Sequence, residues 1–195
     1  VMSKFDPAAV IDVIERERIT VVGMVPTVAR MLLPHLRTGA ARCASLRRIV
    51  VTGEAFPVGL KQEIISLLPH VQLCSFFAMT EVGSVTSLSH PEQFTHPDSV
   101  GRVLPGIEVK LVDESGHPVP VGEVGELLVR AGPPGSFVTM REYYRQPEAT
   151  AATITDGWVR TGDLARFDAE GYLYIADRKK DMVLSGGFNI YTKEV

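Results

Sequence analysis

Cysteine, tryptophan and long apolar runs are all scarce in this chain, and each scarcity excludes something. The two cysteines, Cys43 and Cys74, offer neither a metal-ligand spacing nor a disulfide framework, so reduced, buried thiols in a cytoplasmic protein are the expectation. No run approaches the roughly 20 apolar residues that cross a bilayer. Val1 to Phe5 carries no signal-peptide profile before an amphipathic helix begins, and a peripheral membrane contact is left open without direct support. Basic runs are short too. Only Arg47-Arg48 and Arg178-Lys179-Lys180 stand together, and 20 Lys+Arg against 23 Asp+Glu give a net charge of -3, which argues against an extended nucleic-acid surface. Internal repeats and low-complexity segments are absent. What remains is 195 residues, 45% of them hydrophobic, enough for one or two modest cores.

Helix and strand alternate through the first part. Asp6 before Pro7 is a good helix start, with Val10, Ile11 and Ile14 on one face and Asp12, Glu15 and Arg16 on another. Residues 19–25 read as a buried strand. A second helix runs from Pro26 to about Leu36 with Val28, Met31, Leu32 and His35 as its stripe, and a loop follows from Thr38 to Ser45. Leu46 to Thr52 is a strand, Val58 to Leu68 a helix with Leu60, Ile64, Leu67 and Leu68 inward, and Val71 to Phe76 another strand. This is the pattern of a mostly parallel sheet covered by helices, and such sheets place ligands beyond the carboxyl ends of their strands. Gly53-Glu54-Ala55 and Phe77-Ala78-Met79-Thr80-Glu81 fall at such ends.

A polar, proline-bearing excursion around His90 to Asp98 follows, with His90 and His96 read as exposed. From Ser99 the texture changes. Ile107, Val109 and Leu111 alternate with Glu108 and Lys110, and Glu123 to Val129 is a further strand with Glu126 and Arg130 polar at its flanks. Pro147 to Ala151 can form one short helix. The expected organisation is an α/β unit over residues 1–98, a small antiparallel, β-barrel-like unit over 99–176, and a hinge with the start of a further domain over 177–195.

The most informative stretch lies near the C-terminus. Asp168 to Gly171 reads as the turn of a hairpin, with the cluster ending at Asp163 and the cluster beginning at Asp177 placed at either end of a rigid ribbon. Asp163 offers acceptor oxygens to a vicinal diol, and Arg178 offers a planar fork of donors to hydroxyls or phosphate oxygens. The bland alternative is that Asp163 caps a turn and Arg178 solvates a surface. Thr80 can donate to a phosphate oxygen, and Glu81 can hold the hard cation that screens a polyphosphate. Its alternative is a helix cap after a strand. Phe76 or Phe77 could stack on a base, and at least one of them could instead fill core.

Taken jointly, these motifs resemble one family. Asp156-Gly157-Trp158, Arg160-Thr161-Gly162-Asp163-Leu164, Gly171-Tyr172-Leu173-Tyr174-Ile175 and Asp177-Arg178-Lys179-Lys180-Asp181 look like the signature of the adenylate-forming superfamily. Gly125-Glu126-Leu127, Gly101-Arg102 with Pro105-Gly106, and Met79-Thr80-Glu81 match further motifs in the same order. Ser185-Gly186-Gly187-Phe188-Asn189-Ile190-Tyr191 makes the likeness greatest to fatty-acyl and aryl-CoA ligases.

The resemblance implies a two-step ligase using ATP, Mg2+, a carboxylic acid such as a fatty acid, and coenzyme A. It implies that Gly53, Glu54 and Ala55 border adenine, that Phe77 with Ala78 lies beside it, that Thr80 contacts the AMP phosphate and that Glu81 helps hold magnesium. Asp163 and Arg178 are implied at the ribose, Lys180 at the hinge, and Gly186 and Gly187 in the loop that shapes the thiol channel. Departures include Phe77-Ala78 where Tyr-Gly is common, Glu54 for a glycine, and Val103 and Thr192 for prolines. A phosphate loop and a catalytic lysine are missing, so the chain is expected to be an inactive fragment of a larger ligase. A non-catalytic nucleotide-binding or regulatory protein, an enzyme with another acceptor, and a scaffold whose exposed sheet faces pair in a homodimer stand as alternatives.

Overall fold

The computed structural model describes residues 5–53, 55–132 and 139–178, with the backbone of Val183–Ser185 and Phe188–Ile190. It divides into two compact units, Val1–Phe76 with Leu88–Asp98, and Phe77–Ser87 with Ser99–Val195. The chain last passes from the first unit to the second after Asp98, and Phe77–Ser87 belongs to the second unit.

In the first unit, helix α1 (Pro7–Arg16) begins as its sequence dictates. Asp6 Oδ1 accepts from the N–H groups of Ala8 and Ala9 at 3.0 and 3.4 Å, satisfying two donors that the first turn would otherwise leave open. Strands β1 (Val21–Met24), β2 (Arg48–Thr52) and β3 (Gln72–Met79) follow, with β1 parallel to β2 and β2 parallel to the Gln72–Phe76 part of β3. The expectation of a buried first strand is corrected: β1 pairs with β2 alone in this unit, and Val21 is 53% exposed. Helix α2 (Pro26–Gly39) also differs from expectation. It buries Ala29, Leu32, Leu33 and Leu36, spaced i, i+3, i+4, i+7, while Met31 is 47% exposed. The expected loop after it is instead the end of α2 and a 3-10 turn, Ala40–Cys43. That turn aims Arg42 at Asp12 and Glu15 of α1, both at 2.7 Å.

Helix α3 (Val58–Leu67) places Leu60 and Ile64 inward as anticipated, and also buries Lys61. Ile14, Leu36, Ile49, Val51, Ile64 and Leu73 make the centre of this unit's core. His90 is not exposed. Its Nδ1 accepts from the Leu73 N–H at 3.0 Å, satisfying that backbone donor, and its ring meets Phe94 edge-on. His96 is half-buried as well.

The second unit is antiparallel. β4 (Gly83–Leu88) enters from a turn and pairs with β5 (Arg102–Val103). The short helix α4 (Glu92–Thr95) lies between them in sequence and belongs to the first unit. β6 (Ile107–Val112), β7 (Gly125–Ala131), β9 (Trp158–Phe167) and β10 (Leu173–Arg178) form a sheet in the order β10-β9-β7-β6, with β8 (Ile154–Thr155) on β9 after helix α5 (Pro147–Thr153). Leu127, Val129, Val159, Ala165 and Leu173 are fully buried in its core. Glu126, expected at a polar flank, is buried beside Arg160, whose Nη1 lies 2.8 Å from Oε2. β11 (Val183–Ser185) pairs antiparallel with β12 (Phe188–Ile190).

Candidate nucleotide site

The Thr-Glu pair sits in a strand-to-strand turn, with no helix after it to cap. β3 continues three residues past Phe76, and the Val82 N–H donates to the Met79 carbonyl at 3.3 Å as the chain turns into β4. Gly83 takes φ +86°, which a side chain would resist. Val82 is buried in the second core and anchors the turn, while Thr80 is exposed and Glu81 half-buried. Two hydrogen bonds hold Glu81. The Tyr143 hydroxyl donates to Oε1 at 2.7 Å, and the Met140 N–H donates to the Glu81 carbonyl at 2.7 Å. The hydrogen bond to Glu81, and then burial, raises the Tyr143 pKa, so its proton stays on the phenol.

Tyr143 is a neighbour of the candidate site that sequence reasoning did not single out. It lies 62 residues from Glu81, and nothing in the local pattern of Tyr143-Tyr144-Arg145 distinguishes one tyrosine from the other. Tyr144 is 78% exposed.

Asp163 and Arg178 come together differently from expectation. They are cross-strand partners, with Arg178 Nε 2.8 Å from Asp163 Oδ1. The two polar clusters therefore share the open end of the β9/β10 hairpin, because antiparallel pairing brings together residues equidistant from the turn. Asp168 builds that turn by accepting from the Glu170 and Tyr172 N–H groups at 3.0 and 2.9 Å. Asp163 is 6% exposed, held also through its N–H, which donates to Thr161 Oγ1. The Arg178 side chain is 59% exposed. A buried acceptor beneath an accessible fork of donors is an arrangement that suits a polyhydroxyl ligand.

Phe77 is half-buried against the second core, and Ala78 is exposed. Gly53, with φ +92°, and Ala55 are exposed in the first unit after β2. Thr52 and Phe76, which precede Gly53 and Phe77, are register partners in the parallel sheet. Glu54, Lys180, Gly186 and Gly187 lie outside the described residues.

No group of three or more His, Cys, Asp or Glu able to hold a metal occurs among the described residues. A lone carboxylate beside an accessible hydroxyl fits a cation that takes its other ligands from phosphate and water, as Mg2+ does. Burial raises both cysteine pKa values, which leaves the thiols protonated and poor nucleophiles.

Residues 1–144 match the AMP-binding enzymes as a family. The chain belongs to the AMP-binding enzyme family. Relatives within this AMP-binding family include a feruloyl-CoA synthase of Amycolatopsis sp, 39% identical over 99% of this chain and 38% of that protein. Among solved structures, the amide bond synthetase McbA of Marinactinospora thermotolerans superposes with a TM-score of 0.88 at 33% identity, over 99% of this chain and 38% of that one. The O-succinylbenzoate coenzyme A synthetase MenE of Bacillus subtilis, in complex with ATP and magnesium ion, superposes at 0.84 and 31% identity, over 100% of this chain and 39% of that one. The chain thus spans well under half the length of these AMP-binding relatives, and its α/β architecture is part of the adenylate-forming fold.

Proposed function

We propose that this chain contributes the nucleotide-facing part of an ATP-dependent acid-thiol ligase. The observation that carries the reading is the buried Asp163 carboxylate paired beneath the accessible Arg178 guanidinium, a ready acceptor and donor set for a ribose diol. In the first half-reaction an acid carboxylate attacks the α-phosphorus of ATP and pyrophosphate departs. In the second a coenzyme A thiol attacks the acyl carbon and AMP departs. Asp163 and Arg178 orient the ribose, Thr80 donates to a phosphate oxygen, Glu81 is the cation ligand, and Phe77 and Ala78 border the base, while Gly53, Glu54 and Ala55 are assigned to the base by resemblance alone. Bound Mg2+ would neutralise phosphate charge. Lys180 as hinge and Gly186 with Gly187 as thiol-channel loop rest on resemblance. The feruloyl-CoA relative supports an aromatic acid alongside the expected fatty acid.

Acid-dependent pyrophosphate release by a full-length ligase carrying this chain, screened over short, medium, long and aromatic acids, is the test. Release together with a CoA thioester detected by mass is the expected result. The McbA relative favours one second reading, an amine acceptor, which release without a thioester but with an amide would establish. AMP binding without release would overturn both. Asp163→Ala should raise the KM for ATP by about tenfold or more, the loss of a charge-assisted hydrogen bond, with little change in melting temperature. An unchanged KM would remove Asp163 from the ribose.

A further inference from the structure

Glu81 is held by a hydroxyl that the ligase reading does not use. Tyr143 spends its only proton on Glu81 Oε1. Helix α5 holds Tyr143 from behind, because the Tyr143 N–H donates to Thr150 Oγ1 at 3.0 Å, and Thr150 Oγ1 donates to the Gln146 carbonyl at 2.9 Å. Tyr143 is thereby fixed at its main chain before its hydroxyl reaches the turn. Met140, three residues earlier, clasps the Glu81 carbonyl. An otherwise mobile carboxylate with three side-chain torsions is restricted at both its backbone and its tip.

We propose that Tyr143 is a positioning residue for Glu81, its hydroxyl fixing Oε1 so that the second carboxylate oxygen is presented to the cation that accompanies the nucleotide. The proposal rests on the ligase reading for the identity of that cation. A phenylalanine would fill the same space, so packing alone does not account for the hydroxyl. A single ligand oxygen also suits Mg2+, which demands near-octahedral geometry and keeps most of its sites for water and phosphate.

The experiment uses a full-length ligase carrying this chain, with Tyr143→Phe. Pyrophosphate release at saturating ATP and acid is titrated with Mg2+, and water-proton relaxation reports Mn2+ binding in the presence of ATP. Tyr143→Phe should raise half-saturating Mg2+ by about three- to tenfold, as expected for one lost hydrogen bond to a charged group. Excess Mg2+ should restore kcat, and the melting temperature should hold. A merely structural tyrosine would instead lower the rate at every Mg2+ concentration, which excess cation does not restore. Unchanged or lowered half-saturation in Tyr143→Phe overturns the proposal. Should the wild type release no pyrophosphate, the ligase reading falls. The Mn2+ titration then decides the positioning role separately, with equal Mn2+ affinity in wild type and Tyr143→Phe counting against it.

Discussion

Lys61 shows how a single residue can escape a periodicity argument. It stands three and seven residues before Ile64 and Leu68, on the apolar stripe of α3, where a charged residue type hides a core position, and it is 1% exposed. Its ammonium donates to the Pro97 carbonyl at 2.7 Å and lies 5.5 Å from the centre of the Phe56 ring. Burial lowers its pKa to about 8, against the opposing pull of Asp98. The sign of the consequence follows from proton counting. Below pH 8 both folded and unfolded chains carry the proton. Between about 8 and the ordinary 10.5 the unfolded chain is protonated and the folded one is not, so stability contributed by this group rises with pH across that window. Chemical denaturation of wild type and Lys61→Met should therefore show a difference that grows in favour of wild type by up to about 1.4 kcal/mol per pH unit from 8 upward. A difference flat in pH would mean that the buried ammonium does not titrate with folding.

Elements were legible where one strong local rule governed them. Asp6-Pro7 announced α1, and the Asp168–Gly171 turn announced the β9/β10 hairpin, because each motif satisfies backbone groups on its own. Where tertiary packing decided, the pattern misled. α2 contains two overlapping apolar spacings, and the one through Ala29 and Leu33 prevails because it faces the core. The hairpin was read with its polar clusters apart, since a linear string of residues hides that its two arms lie side by side. Close approach is equally invisible in sequence. A Cβ on Gly125, the first residue of β7, would stand 2.9 Å from the Val112 carbonyl oxygen and 2.9 Å from Val119. One contact is backbone and cannot swing aside. Gly125→Ala should destabilise the second unit by about 1–3 kcal/mol, read as a lower denaturation midpoint with an unchanged slope. An unaltered midpoint would show that β6 can move away without cost.

At the scale of the whole molecule, two separate cores carry one functional reading. Thr80 and Glu81 were visible as residue types after a strand, and Asp163 and Arg178 as an acid and a base in one short motif-rich stretch, although their pairing within the hairpin was not. Tyr143 was invisible because its role depends on a contact across 62 residues of chain. The cores themselves were foreshadowed by the change from helical to alternating periodicity, but their interleaving was not: the chain leaves the first unit inside β3, returns at Leu88 and leaves again after Asp98. Each unit nonetheless closes its own apolar cluster, around Ile64 and Leu73 in one and around Leu127 and Val159 in the other. A core truncation should then be felt first within its own unit. Ile64→Ala should cost about 2–5 kcal/mol and raise amide exchange in α1, α2, α3, β1 and β2, while β6, β7, β9 and β10 keep wild-type protection. Leu127→Ala should give the converse pattern. Uniform loss of protection across both sheets in either variant would show that the two cores unfold as a single cooperative structure.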